Sequence, residues 1–210
     1  MAQAGVSSSI RGRVALVAIW IAAVLAAMAC LWAYKLEPGA PADLAPRWPA
    51  DSSLAASPDR PTLVMFAHPR CPCTRASLSE LRAVLSRFSG RVATYVVFMR
   101  PSGSSPDWSR TDTWATAASL AGVRLVTDTD GREASRFGAL TSGHVVLYDA
   151  RRRLLFSGGI TPGRGHEGDS PQLDHLIRLL ERETAGTPSN APDLDGAGAV
   201  YGCPLAENRP

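Results

Sequence analysis

The sequence predicts an α/β fold: a mixed β-sheet flanked by helices and preceded by one N-terminal transmembrane helix. Three observations predict it. An uncharged run of 21 residues stands near the N-terminus, short apolar runs alternate with helical periodicities through the middle of the chain, and two late apolar runs lie too close together for a helical crossover.

Composition sets the frame. The chain has 210 residues, 45% hydrophobic and 20% charged, which suits one globular domain with appendages. Its net charge of +3 is carried almost wholly by scattered arginines, Lys35 being the one lysine. No massed basic block marks a nucleic-acid surface, and Arg151, Arg152 and Arg153 read as a solvated hairpin turn.

Residues 14–34 (VALVAIWIAAVLAAMACLWAY) match the roughly 20 residues a helix needs to cross a bilayer. Arg11 and Arg13 precede the run, while Lys35 and Glu37 offset each other behind it, so the charge bias predicts a single pass with the N-terminus inside. A cleaved signal peptide, or a lipoprotein signal ending at Cys30, stays open as an alternative. In each version the rest of the chain lies outside the cytosol, where disulfides persist. The expected layout is a cytoplasmic N-terminus (1–13), the transmembrane helix (14–34), a flexible linker rich in Pro, Ala and Ser (35–60), a folded domain (61–184) and a C-terminal tail (185–210).

Within the domain the elements follow in order. Residues 62–67 (TLVMFA) suit a buried strand, and 73–88 a helix with Leu78, Leu81, Leu85 and Phe88 on one face. Residues 92–99 form a second strand, 111–121 a helix, 123–127 a strand and 131–138 a short helix after the turn residues Asp128, Asp130 and Gly131. Residues 145–149 and 154–157 make an antiparallel hairpin, and Pro171–Thr184 closes the domain with Leu173, Leu176, Ile177 and Leu180 on one face. Parallel crossovers followed by a hairpin and a last helix imply a sheet covered on both sides.

Cys71-Pro72-Cys73 stands where the first strand runs into the first domain helix. Pro72 fits the first helical position, where its missing N–H costs nothing, so Cys71 becomes the N-cap and Cys73 a first-turn residue. Amide groups and the helix dipole favour an anion there, and at least one thiol should ionise more readily than a free cysteine.

At this point the chain resembles the thioredoxin-like superfamily, in particular its membrane-tethered, extracytoplasmic branch related to TlpA-type reductases and peroxiredoxins. The resemblance covers residues 61–184. It is carried by TLVMFAHP leading into the cysteine pair, by LVTDTDGREASRFGAL and by HVVLYDARRRLLFSGGI. HPRCPCTRAS, with the distal GHEGD and YGCPL, is similar to bacterial RedB-type proteins. What the resemblance implies is a thioredoxin-like sheet and a thiol-disulfide oxidoreductase on the periplasmic side of the bacterial inner membrane. It would act on a protein thiol or disulfide, need a separate redox partner and require no dissociable cofactor.

Two departures from that pattern matter. The superfamily usually spaces its cysteines by two residues; with Pro72 alone between them, a Cys71–Cys73 disulfide closes a tighter ring, which favours an oxidant or isomerase over a strong reductant. Where the superfamily carries a cis-proline, this chain reads Thr141-Ser142-Gly143-His144. Loss of that proline opens an alternative, a copper site of Cys71, Cys73 and His144 resembling Sco-type proteins, although those space their cysteines by three residues.

Other candidates follow. His68 can pair with the Cys71 thiolate or relay a proton, or simply end the strand. Cys203, in an apolar cluster within a polar tail, can dock on the domain and exchange with the pair, or stay a free thiol. Cys30 reads as a small apolar residue of the membrane segment. The loop from Arg164 to Asp169 holds an imidazole and carboxylates, yet its glycines read as an exposed loop.

Overall fold

The structure, a computed structural model, describes residues 4–40, 43–187 and 198–205. It divides into two units, Met1–Glu37 and Pro38–Pro210. The first is helix α1 (Ala4–Leu36), whose 26-residue stretch Arg11–Leu36 contains an 18-residue window with a mean hydropathy of 2.7. At 1.5 Å per residue that stretch is about 39 Å long, more than the ~30 Å of a bilayer's hydrocarbon core, so it is long and apolar enough to cross. Residues 4–13, expected only as a flank, continue the same helix, since no proline interrupts them.

The second unit contains β1 (Thr62–Ala67), α2 (Pro72–Arg87), β2 (Ala93–Arg100), α3 (Asp112–Ala118), β3 (Val123–Thr129), α4 (Arg132–Arg136), β4 (His144–Tyr148), β5 (Leu154–Gly158) and α5 (Pro171–Thr184). The strands form one sheet in the order β3-β2-β1-β4-β5. β1 and β2 pair in parallel, as do β2 and β3; β4 runs antiparallel to both β1 and β5. This is the thioredoxin-like arrangement, with β1 at its centre. Its six residues are all buried, as a strand covered on both faces requires.

Side chains alternate across that sheet and build two cores. Leu63, Met65 and Ala67 face Leu78, Leu81 and Val84 of α2 and Leu173, Leu176 and Leu180 of α5. Val64 and Phe66 face the other way, onto Phe137, Tyr148, Trp48 and Leu54. The last two lie in the segment expected to be a flexible linker. They correct that expectation: Trp48 packs edge-on against Phe137 (5.0 Å) and Tyr148 (5.2 Å), and its indole donates to Leu54 O at 3.3 Å.

Backbone pairing holds the same segment. Trp48 N–H donates to Arg152 O at 3.0 Å and Leu154 N–H to Pro46 O at 3.0 Å, so residues 46–48 lie along the start of β5 and cover part of its open edge. Further along, Gly198 N–H donates to Ser157 O, and the chain passes so close that a Cβ on Gly158 or Gly159 would lie 2.8 Å or 2.7 Å from its backbone. The helix predicted over 111–121 is shorter, because the chain leaves helical geometry after Ala118 and Gly122 turns at φ +77° into β3.

Replacing Trp48 with Ala removes a buried aromatic between two rings. The expected outcome is a loss of about 3–5 kcal/mol in unfolding free energy, measured by denaturant titration of the full chain in detergent with circular dichroism as the probe.

Candidate active site

β1 ends at Ala67 and the chain turns through His68, Pro69 and Arg70 into α2. Cys71 is the N-cap, at φ −87° and ψ 126°, with Pro72 at the first helical position, as Pro-directed capping predicts. Its N–H donates to His68 O at 3.1 Å, and Thr74 N–H donates to Cys71 O at 3.0 Å.

Three hydroxyl-centred bonds fasten this turn to the segment entering β4. His68 N–H donates to Ser142 Oγ at 2.8 Å, and Thr74 Oγ donates to His68 O at 2.8 Å. That leaves Ser142 Oγ as the donor in its 2.9 Å contact with Thr74 Oγ, and the ring of bonds closes. Next in the chain, Gly143 stands at φ +89°, donates its N–H to Phe66 O, and has Ser77 Oγ only 2.8 Å from where a Cβ would be. The described residues contain no cis peptide bond, so the proline position of the resemblance is filled by a serine clasp and a glycine.

The tail brings the third cysteine to this place. Ser142 N–H donates to Cys203 O at 2.8 Å and Leu205 N–H to Leu140 O at 3.0 Å, an antiparallel bridge centred on Thr141 and Pro204. Arg164 Nη1 donates to Gly202 O at 2.7 Å. Gly202 fits there because it lacks a Cβ, which would sit 2.0 Å from Ser142 O.

Cys71 therefore has two thiols within hydrogen-bond reach. The Cys73 thiol donates to its sulfur, and so does the Cys203 thiol, with the N–H groups of Cys203 and Cys73 also directed at it. The Cys73 thiol lowers the Cys71 pKa most; burial opposes and the Cys203 thiol adds to the lowering, which takes it from 9.0 to about 4. Such a value falls within the roughly 3.5–7.5 seen for activated thiols at helix starts. The Cys73 pKa moves up, first because its thiol donates to the Cys71 anion and then through burial, while the Gly165 N–H acts against the rise. Burial and the same anion push Cys203 up to about 11, and Arg164 counteracts. Helix amides thus contribute, but neighbouring thiols contribute more than the sequence suggested.

Both members of the pair are buried, Cys71 being 1% exposed against 7% for Cys73, and Cys203 is half-buried. A cavity of about 260 Å³ lined by Pro69, Arg70, Cys71, Arg75, Thr111 and Asp112 opens beside Cys71. Thr111 and Thr113 hold its wall by donating to Pro69 O at 2.9 and 2.8 Å.

The remaining candidates fall elsewhere or play other parts. The His68 ring accepts from Arg70 N–H through Nδ1 at 3.2 Å and meets Trp108 edge-on at 5.6 Å, while its backbone N–H and O hold the cysteine turn. His144 pairs across the sheet with Phe66, which puts it on the face away from α2. It is buried, bonds Ser157 Oγ through Nε2 at 2.7 Å, and burial alone lowers its pKa to about 4. The donor set Cys71, Cys73 and His144 does not fit copper, and among the described residues no group of three His, Cys, Asp or Glu could hold a metal ion.

Gly165 to Asp169 are exposed, as the loop reading expects, and touch α2 through Ser79 Oγ donating to Glu167 (2.9 Å) and Gly168 N–H donating to Glu80 (2.7 Å). Sequence reasoning missed Ser142, Thr74, Arg164 and Gly165 as parts of the site. Only Gly143, beside the expected proline position, hinted that the chain closes tightly there.

No protein-family model matches the chain, and no curated protein does. Solved structures do. A hypothetical protein of Sinorhizobium meliloti is 19% identical with a TM-score of 0.60, covering 81% of this chain and 97% of its own. An uncharacterized conserved protein of Geobacillus kaustophilus is 16% identical with a TM-score of 0.57, covering 84% and 95%. A secreted Mycobacterium tuberculosis disulfide oxidoreductase is 16% identical with a TM-score of 0.42, covering 61% and 82%. The first two likenesses show a shared fold, and function has to be argued from the site.

The thiolate has a pH signature. Thiolate ultraviolet absorbance of the reduced chain should show one group titrating near pH 4, absent in Cys71→Ser. Since the folded pKa is depressed below 9.0, the stability this thiolate supplies is full above pH 9 and is lost as pH falls through 4. The stability difference between the reduced wild type and Cys71→Ser should accordingly shrink as pH falls across that window, followed by thermal unfolding.

Proposed function

We propose that this chain is a membrane-tethered, extracytoplasmic thiol-disulfide oxidoreductase that uses Cys71 and Cys73. One observation carries the reading: a capping cysteine whose thiolate is held by the thiol two residues on, at the join of the central strand and a helix. The apolar helix α1 supports the tether, and its charge flanks support an N-in orientation with the domain on the periplasmic side.

The chemistry follows from the two pKa directions. A stabilised Cys71 thiolate stabilises the reduced pair, which makes the disulfide form an oxidant. A substrate thiolate attacks Cys71 of the Cys71–Cys73 disulfide; the S–S bond breaks, a mixed disulfide forms, and Cys73 leaves and takes up a proton. A second substrate thiolate then attacks the substrate sulfur, and Cys71 departs as the thiolate that its surroundings favour. Two electrons pass from the substrate dithiol to the pair. A separate disulfide-bearing partner takes them onward, and the reverse sequence reduces a substrate disulfide.

The polar groups around Cys71 suit this exchange. With Cys71 in a mixed disulfide, the anion that most strongly held the Cys73 proton is gone, so Cys73 can ionise and resolve the intermediate. Two tests follow. Cys73→Ala combined with Cys203→Ser, which removes both thiols beside Cys71, should leave protein substrates attached to Cys71 as adducts released by reductant, detected on non-reducing gels and mapped by mass spectrometry. Cys71→Ser should trap none; an oxidised chain that shows no loss of two hydrogens across Cys71 and Cys73 would refute the proposal.

A further inference from the structure

The tail is seated as part of the site. Gly39 N–H donates to Val200 O at 2.8 Å, Gly198 is bonded to β5, and Cys203 and Leu205 pair with the segment from Leu140 to Ser142. Val200 and Leu205 are buried, so apolar packing reinforces five main-chain and side-chain hydrogen bonds that include Arg164 to Gly202 O. At the centre of this seat the Cys203 thiol and its own N–H both meet the Cys71 sulfur.

We infer that Cys203 is a third catalytic cysteine, which exchanges with Cys71 to give an internal Cys71–Cys203 disulfide that straps the tail over the site. The inference rests on the reading of Cys71 as the reactive sulfur. In the exchange, the Cys203 thiolate attacks Cys71 of the Cys71–Cys73 disulfide; the Cys71–Cys203 bond forms, the Cys71–Cys73 bond breaks, and Cys73 takes the proton that Cys203 gave up. No net electrons are needed. Attack on a mixed disulfide at Cys71 releases the bound thiol instead, with the two electrons of Cys71 and Cys203 reducing the original disulfide.

Electrostatics suit the timing. Burial holds the Cys203 proton first, and the Cys71 anion adds to it; once Cys71 is in a disulfide that anion is gone, and Arg164 favours the thiolate. Geometry adds a consequence for access. The strap occupies Ser142 N–H and Leu140 O on the edge where Cys203 is held, so a polypeptide substrate pairs with that edge only when the tail lifts. Linking Cys203 to Cys71 closes the edge, and reducing that bond reopens it.

The test uses the full chain in detergent, reduced and then exposed to glutathione disulfide, with free thiols blocked before digestion and mass mapping. In Cys73→Ser, the glutathione first captured by Cys71 should be displaced, giving a peptide pair that joins Cys71 to Cys203. Cys71 carrying glutathione beside a free, blocked Cys203 would overturn the inference. Cys203→Ser should still form the Cys71–Cys73 disulfide; if it does not, or if Cys71 captures nothing, the underlying reading fails as well. Gly202→Val, which drives the tail from Ser142 O, should cut the Cys71–Cys203 link about tenfold or more through lost local concentration, while sparing the Cys71–Cys73 link. An unchanged Cys71–Cys203 yield in that variant counts against the seated tail as its cause.

Discussion

A sulfur anion that is 1% exposed survives only where donors converge on it, and that requirement organises the site from both ends of the sequence. Helix α2 supplies the Cys73 amide and thiol, and the tail supplies the same pair of groups from Cys203. Each donor is held by a separate piece of backbone: α2 by the apolar face beneath β1, and the tail by its bridge to Thr141. The donors share one fate. When the sulfur loses its charge to a bond, both thiols lose the anion that helped to hold their protons, and chemistry at one atom shifts all three.

The clasp of His68, Thr74 and Ser142 makes that convergence possible. Buried hydroxyls are costly unless fully bonded, and here every donor and acceptor in the ring has a partner. The ring ties together the end of β1, the first turn of α2 and the entry to β4, the three segments around Cys71. It leaves Ser142 N–H and Leu140 O free to pair with another strand, and the chain's own tail takes them.

Much of this was legible in the residues. The apolar runs and the leucine spacings located all five strands and the longer helices, and Pro72 alone placed Cys71 at a helix start. The segment before β1 was not legible, because Leu44, Trp48 and Leu54 follow no period and are separated by prolines; they are docked by backbone pairing and by rings far along the chain. His144 was misplaced for a different reason. Its sequence position beside the missing proline suggested the sulfurs, but strand parity decides the face, and parity is known only once His144 is paired with Phe66. At Cys71 the largest donor is the nearby Cys73 thiol, and the further contribution of Cys203 was not legible because it needs the tail brought across the fold.

The open side of β5 is roofed in turn by residues 46–48 and by Gly198, so segments from before and after the central domain act as its lid along one rim. A version of the protein trimmed to the apparent domain at residue 61 would lose that roofing together with Trp48. Its bared rim could then recruit a neighbouring molecule's strand, and the same stickiness would let two molecules trade these flanks instead of folding them home.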